Sequence, residues 1–528
     1  MLIGYVSDER YVALADVLLE FEDAGTSIEV RSRASGAVHA DLAEGPYRVT
    51  LSKQGYGAKR VPMRVSSGRP HHFRLLSDGL LGYAWPKWVC AGEKSEFRVH
   101  SIEAYKLELW RYGWQKELAA KIGWFDEHGP LATMQITPDG DYTQTGVEWN
   151  KAGYGSWQHA QHVTAPARSG LYYFHARTSG GRFFSFPWIV APATPQAKIA
   201  VLASNITWNA YNNFGGRSNY IHADCLPPTP TVNARLELSR YNDPEFGTWN
   251  AEEYAPLSFD RPEPINHVPE NVQVTDPIEG RAACHVAPAE WRLLGWMERE
   301  GFAYDLYAET QLHAGWLDLD AYRALVISTH PEYWSSRMYD TVKAWVFERG
   351  GRLVYLGGNG LNCEVSLPDA ATMIVHNGDN RKLQANLAKY ESRFGMSKQS
   401  EAHLLGVVYT EAGVMTAAPY RVLDASHWAL AGTGLENGDL FGQNSLHERI
   451  PGGASGHETD KISPNSPAHV QRLAQGLNPH HGGADLVHFE SPSGGAVFSA
   501  GSICWPASVL VDAAVSRITA NVLRRFSE

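Results

Sequence analysis

The sequence predicts two N-terminal β-modules followed by an α/β domain with long insertions. Three observations carry this reading. Up to about residue 190 apolar residues alternate in short runs between turn clusters, the mark of half-buried strands. Ala191-Pro192-Ala193-Thr194-Pro195 then reads as a linker. Beyond it, continuous apolar runs of strand length alternate with amphipathic stretches of helix length, as in a parallel sheet covered by helices.

The first module is placed at 1–78. Val12–Glu22 and Ser27–Ser32 alternate apolar and polar residues, and Gly45–Leu51 is a turn feeding a strand; the spacing of Val12–Glu22 fits a helix as well. The second module, 79–195, offers strands at Ser95–His100, Lys106–Arg111, Gly170–Arg177 and Arg182–Val190, with turn clusters such as Thr137-Pro138-Asp139-Gly140-Asp141 between them. That spacing suggests a β-sandwich. In the third part, 196–528, strands are expected at Lys198–Ala203, Phe302–Tyr307, Arg323–Thr329, Leu353–Leu356 and Ala496–Ala500. Helices are expected at Glu290–Gly301, Ser335–Arg349 and Ser508–Phe526. This is a Rossmann-like or glutamine-amidotransferase-like pattern, interrupted near 205–288 and 365–490 by turn-rich stretches full of Tyr, His, Asp and Glu.

Composition narrows the function. With 44% apolar and 20% charged residues the chain has the material for full cores and is not disordered. A net charge of −11 gives no basic excess for nucleic acid. Five widely spaced Cys without a C-x-x-C argue against a disulfide scaffold. The first ten residues lack a signal-peptide pattern and no run of 18 apolar residues occurs, so a soluble, cytoplasmic protein is expected. The 22 His are the informative excess, because they can build metal or acid–base sites.

G-x-S-x-G, the P-loop and H-E-x-x-H are all missing. Gly358-Asn359-Gly360-Leu361-Asn362-Cys363 approaches a dinucleotide fingerprint but ends in Cys, and a tight turn after a strand is the simpler reading. Cys363 is a candidate nucleophile or a buried structural thiol. Thr329-His330-Pro331-Glu332-Tyr333-Trp334-Ser335 follows directly on a strand, at the sheet edge where open α/β folds bind ligands. His330 and Glu332 are two residues apart and would share a side. They suit metal ligands, an acid–base pair, or simply a helix cap beside a His bonded to a carbonyl. The stretch Thr207–Tyr220, with Tyr211 and Tyr220 among Asn and Gly, follows the first strand of the same sheet. A third patch, Gly456-His457-Glu458-Thr459-Asp460-Lys461, has the look of solvated surface.

Together T-W-x-A-Y-N, G-G-R-S-x-Y, Phe259-Asp260-Arg261-Pro262, H-x-E-Y-W-S and G-x-E-x-D resemble the C-terminal portion of the large (beta) subunit of N,N-dimethylformamidase, over about 197–528. The resemblance implies a metal-dependent amidohydrolase with a mononuclear Fe(III) held by two tyrosinates and a glutamate. Carried over, Tyr211, Tyr220 and Glu332 are the ligands, with Tyr241 and Tyr254 open as alternatives to Tyr220. His330 is the neighbouring His and Glu458 the base. Trp208, Asn212 and Asn359 are expected to contact the substrate. Hard anionic oxygens favour Fe(III) over Zn(II). The implied partners are a small amide and a separate small subunit that this chain does not contain; a homo-dimer or higher oligomer is also expected, with no nucleic acid and no membrane. Two rival readings stand beside this: a non-catalytic carbohydrate- or partner-binding protein, and a Cys363-dependent amidotransferase-like hydrolase.

Overall fold

A computed structural model describes residues 1–23, 25–125, 137–149, 161–232, 253–278, 282–376 and 378–528. The described residues form eight β-sheets, with less of the chain in helix. In the first module, Leu18–Glu22 lies between Ser27–Arg31 and Gly45–Lys53 in a four-stranded antiparallel sheet. The helical alternative for Val12–Glu22 is thereby excluded: Asp16 has φ +58°, which breaks any helix there. The next unit has a three-stranded and a five-stranded sheet around one apolar cluster that includes Phe97, Leu107, Phe174 and Trp188. Its strands Lys94–Ser101, Tyr105–Tyr112, Gly170–Thr178 and Phe183–Ala191 fall where alternation placed them.

The largest sheet has nine strands. Asp305–Ala308, Ile199–Ala203, Ala324–Thr329, Arg352–Gly357 and Ala496–Ser499 lie side by side and parallel. Asp485–Glu490, Gln471–Gly476, Tyr420–Val422 and Leu440–Phe441 continue it antiparallel. Ala324–Thr329 is buried at every position, which is why its sequence is a continuous apolar run. In chain order the parallel strands read 2-1-3-4-5 across the sheet, so connections leave in opposite directions from the first and third strands. A crevice opens at such a switch point, beyond the C-terminal ends of the strands.

Helix Ser336–Arg349 starts where Ser335 accepts the N–H of Met338 and ends at left-handed Gly350. The last helix runs Ala513–Ser527, later than the sequence suggested, because Asp512 caps it by accepting from Ala514 and Val515. Among the described residues no helix is long and apolar enough to cross a membrane.

Helix Ala287–Arg299 buries Leu293, Leu294, Trp296 and Met297 as its spacing predicts. It also buries Glu290, which accepts from the Trp208 indole N–H at 2.8 Å and the Ser204 amide at 3.2 Å. Burial pushes the Glu290 carboxyl up to about 8. An unfolded Glu releases its proton near 4.3, so between there and pH 8 the folded form holds a proton the unfolded form has lost. The stability this group contributes is complete at the acid end and is lost as pH rises through 8. Glu290→Gln keeps the acceptor without the titration. Denaturant unfolding should therefore show the variant gaining on the parent protein between pH 5 and pH 8.5; a pH-independent difference would count against a neutral Glu290.

Candidate functional site

Two segments leave the switch point. The first strand ends at Ala203, and helix Asn205–Tyr211 follows. Gly215 and Gly216 then turn the chain back at φ +102° and +91°; a Cβ on Gly215 would lie 2.9 Å from the Tyr142 ring. This brings Tyr220 onto Tyr211, with the two rings stacked at 4.2 Å. From the third strand, Thr329 takes φ +64°, a sparsely populated region for a β-branched residue. Such backbone costs about 1–3 kcal/mol and persists only where its surroundings enforce it. It directs His330 inward, where Nδ1 donates to the Gly358 carbonyl at 3.0 Å.

The geometry is a knot of donors on one carboxylate oxygen. Glu332 Oε2 accepts from the Tyr211 hydroxyl at 3.0 Å and the Tyr220 hydroxyl at 2.7 Å, and lies 2.9 Å from His330 Nε2. The two phenol oxygens are 2.7 Å apart. Tyr333 adds its hydroxyl to that of Tyr220 at 2.8 Å. Burial opposes a charge on Glu332, but His330 and the two phenols hold its carboxyl below the ordinary value. Burial likewise works against a charged His330, yet Glu458 and Glu332 outweigh it and raise the imidazole to about 9. Burial and the Glu332 charge push the Tyr220 phenol well above 10. Ionising it needs a strong local cation.

Glu458 sits across from this knot, 3.7 Å from His330 Nε2. Asn359 Nδ2 donates to it at 2.8 Å. Behind them Asp460 accepts from Tyr355 at 2.6 Å and from the Asn359 backbone amide at 2.8 Å, which ties the Gly358–Gly360 turn to the segment carrying Glu458. The charged patch 456–461 is thus mostly interior: His457, Thr459 and Asp460 are buried, and Glu458 is 17% exposed. The expectation of solvated surface fails because its carboxylates find partners inside. Gly358-Asn359-Gly360 is a turn, as the simpler reading had it, with Asn359 at φ +50°.

A cavity of about 460 Å³ opens over these groups, walled by Tyr211, Tyr220, Glu332, Asn359, Cys363 and Glu458 among others. The structure brings the expected Tyr211, Tyr220, His330, Glu332, Asn359 and Glu458 together. Two expected substrate contacts are not on the cavity wall. Trp208 packs beside Trp88 and Phe259 with its N–H on Glu290. Asn212 gives its amide N–H to the Pro262 carbonyl and accepts from the Phe214 amide. Both side chains have their polar groups satisfied inside the fold. Tyr254 is buried in the same core, and Tyr241 lies outside the described residues. Ser335, rather than Glu332, caps the helix after the H-x-E-Y-W stretch.

Sequence reading missed a layer of histidines. His285 stacks on Tyr211 at 4.8 Å and meets the His457 ring at 4.6 Å. His447 stands behind His457, with Cys284 beyond it. The donor atoms of Cys284, His447 and His457 fall within 4.8 Å of one another. His447, however, meets Cys284 with Nδ1 and His457 with Nε2, two separate corners of its ring. That suits a hydrogen-bonded chain better than one metal ion. Their wide separation in sequence left no local signal; only the adjacency of His457 to Glu458 pointed here.

Residues 106–514 match the family described as N,N-dimethylformamidase beta subunit-like, C-terminal, and the chain belongs to that family. The match starts inside the second β-unit, earlier than the motifs alone reached. The N,N-dimethylformamidase beta subunit of Paracoccus aminophilus is 25% identical over 403 residues, covering 64% of this chain and 50% of that protein. The beta subunit from Alcaligenes sp. is 24% identical over the same coverage. The chain spans about half the length of the curated relatives it matches. Among solved structures, the Bacillus anthracis TIE protein overlaps 38% of this chain and 34% of its own at 13% identity, with a TM-score of 0.13, far below a shared fold.

The close approach of Gly358 to the Glu458 segment gives a test of the site's assembly. A Cβ there would run into the Glu458 carbonyl and lie 2.7 Å from the Ile503 amide. Gly358→Ala should destabilise the protein by about 1–3 kcal/mol through overpacking, measured by denaturant unfolding. An unchanged midpoint would mean the segment is free to move.

Proposed function

We propose that this chain hydrolyses the C–N bond of a linear amide, using a mononuclear Fe(III) held by Tyr211, Tyr220 and Glu332. The observation that carries the reading is the triangle of oxygens: 2.7 Å between the phenols, and 3.0 and 2.7 Å from each phenol to Glu332. Three oxygens this close together could all bind one small, hard cation. The donors also fit chemically, since all three are hard oxygens and their anionic forms together balance a trivalent cation. The strand order 2-1-3-4-5 supports a doubly wound, Rossmann-like or glutamine-amidotransferase-like domain as the carrier of the site.

Bound there, the ion supplies Lewis acidity toward an amide carbonyl and toward water. The chain's own groups do the rest. Glu458, oriented by Asn359, takes a proton from the attacking water and returns it to the leaving nitrogen as the C–N bond breaks and a C–O bond forms. His330, with Nδ1–H fixed on Gly358, lies between Glu332 and Glu458 and moderates their repulsion. The cavity accommodates a small amide. The relatives are named as beta subunits, which supports a separate partner subunit here.

The Cys363 reading is disfavoured by chemistry. Burial and the Glu332 charge push its thiol well above 9, and the thiolate is the nucleophile. The binding-protein reading has no comparable support, because it leaves the two phenols and two carboxylates at the cavity unexplained.

The purified protein should contain one iron per chain and be coloured by a tyrosinate-to-iron band, which weakens in Tyr211→Phe. Colourless protein loaded with zinc would overturn the ligand assignment. Glu332→Ala should lose metal and turnover together, whereas Glu458→Gln should keep the iron and lose turnover. Equal metal loss in both would make Glu458 a ligand instead of the base.

A further inference from the structure

Tyr333 stands beside the oxygen triangle and touches one of its corners. The Tyr211, Tyr220 and Glu332 oxygens contact one another, and the Tyr333 hydroxyl lies 2.8 Å from that of Tyr220. The backbone holds the Tyr333 ring in this place. Strand Tyr333–Trp334 pairs in parallel with Cys363–Glu364, with Tyr333 opposite Cys363. The Leu361 amide donates to the Pro331 carbonyl at 2.8 Å and the Cys363 amide to the Glu332 carbonyl at 2.9 Å. The residue before Tyr333 supplies a corner of the triangle, so corner and neighbour are fixed by one stretch of chain. Tyr333 is 2% exposed and lines the cavity. A hydroxyl buried to that extent is costly without a hydrogen bond, and the Tyr220 oxygen supplies one. Between two neutral phenols either oxygen can be the donor. Once Tyr220 has given up its proton to become a ligand, its oxygen only accepts, and the bond runs from Tyr333 to Tyr220.

We propose that Tyr333 is a positioning residue that donates its hydroxyl hydrogen to the Tyr220 phenolate and so sets how much charge that oxygen passes to the iron. The inference rests on the ligand set proposed above and deepens it. No proton is transferred in this contact. A hydrogen bond to an ionised oxygen is roughly twice as strong as one between neutral groups. It draws electron density back onto the Tyr220 oxygen. The Tyr220 phenolate then donates less to the iron, which keeps more of its Lewis acidity for the amide carbonyl. A neighbour that only filled space would leave this balance unchanged.

The test compares full-length, iron-loaded wild type with Tyr333→Phe, which removes one oxygen and keeps the ring. The variant should retain its iron, and its tyrosinate-to-iron band should move to longer wavelength, because a phenolate without the hydrogen bond gives up an electron more readily. The reduction potential of the bound iron should fall for the same reason. With N,N-dimethylformamide as probe, kcat should fall about 10–100-fold with a smaller change in KM. The band is read whether or not that amide is a substrate. A second variant replaces Tyr333 by a monofluorinated tyrosine, whose hydroxyl is a stronger donor, and should move the band the opposite way, to shorter wavelength. A purely structural Tyr333 would move the thermal midpoint and leave the band in place. An unmoved band in both iron-loaded variants therefore overturns the proposal. Loss of iron from a folded Tyr333→Phe also overturns it, because Tyr333 would then be a ligand. A wild type without iron, or without the band, fails at an earlier step: it removes the ligand set itself, and this proposal with it.

Discussion

A buried negative charge governs the site. Glu332 is taken out of water at the end of a central strand, where an uncompensated carboxylate is costly. One of its oxygens collects two phenol hydroxyls and an imidazole from three different positions in the chain. Each donor is itself held from behind: His330 by the Gly358 carbonyl, Tyr220 by Tyr333 and by stacking on Tyr211. The same arrangement that satisfies the charge brings three ionisable oxygens within touching distance. Protons or a cation can hold such a set together, and the cation alone would make both phenols ionise near neutral pH. Stability and reactivity thus draw on one contact network.

The backbone is bent to supply that network. At the switch point the chain leaves the first and third strands in opposite directions, so residues after Ala203 and after Thr329 come to line one crevice. Four of the left-handed non-glycine residues lie there: Thr329, Asn359, Leu361 and His457 all have positive φ. Asp460 fastens the turn to the segment that carries Glu458, and burial raises its carboxyl to about 7, in keeping with an anchor whose charge is discouraged. Strain of this kind is tolerated where dense hydrogen bonding overdetermines the conformation, and the wall around Glu458 has that density.

What could be read from the sequence follows from how local each signal is. Continuous apolar runs marked the parallel strands because burial on both faces removes alternation. His330 and Glu332 stood out because they sit two apart just past such a strand. The tyrosines stood out because the second follows the first after a Gly-Gly turn. Trp208 and Asn212 looked the same in sequence, yet a buried Glu290 and the Pro262 carbonyl take up their polar groups. Nothing in the local pattern distinguishes a polar side chain used by the fold from one left for a ligand. The histidine layer was illegible for the converse reason: His285, His447 and His457 come from distant segments and meet only through tertiary packing.

The segment Phe259-Asp260-Arg261-Pro262 shows why the N-terminal β-units matter to the site. Phe259 packs edge-on against Trp88 of the second unit at 5.2 Å. Asp260 takes hydrogen bonds from Tyr83 and Arg98 of that unit, both at 2.6 Å. Arg261 faces the other way, donating to the carbonyls of Phe214 and Asn209 at 2.7 and 3.3 Å. The Pro262 carbonyl holds Asn212, the residue next to Tyr211. Four consecutive residues therefore bolt the β-unit to the turn that presents both tyrosines. Trp88 is buried in this contact and Trp85, Trp110 and Trp114 pack against the same core, while Trp124 remains 56% exposed. Aromatics that exceed the needs of one small sandwich are used here to join it to its neighbour. A hydrogen-bonded oxygen triangle with edges of 2.7–3.0 Å tolerates little displacement. The β-unit belongs to the same mechanical assembly as the site, which accords with a family match that begins within it at residue 106.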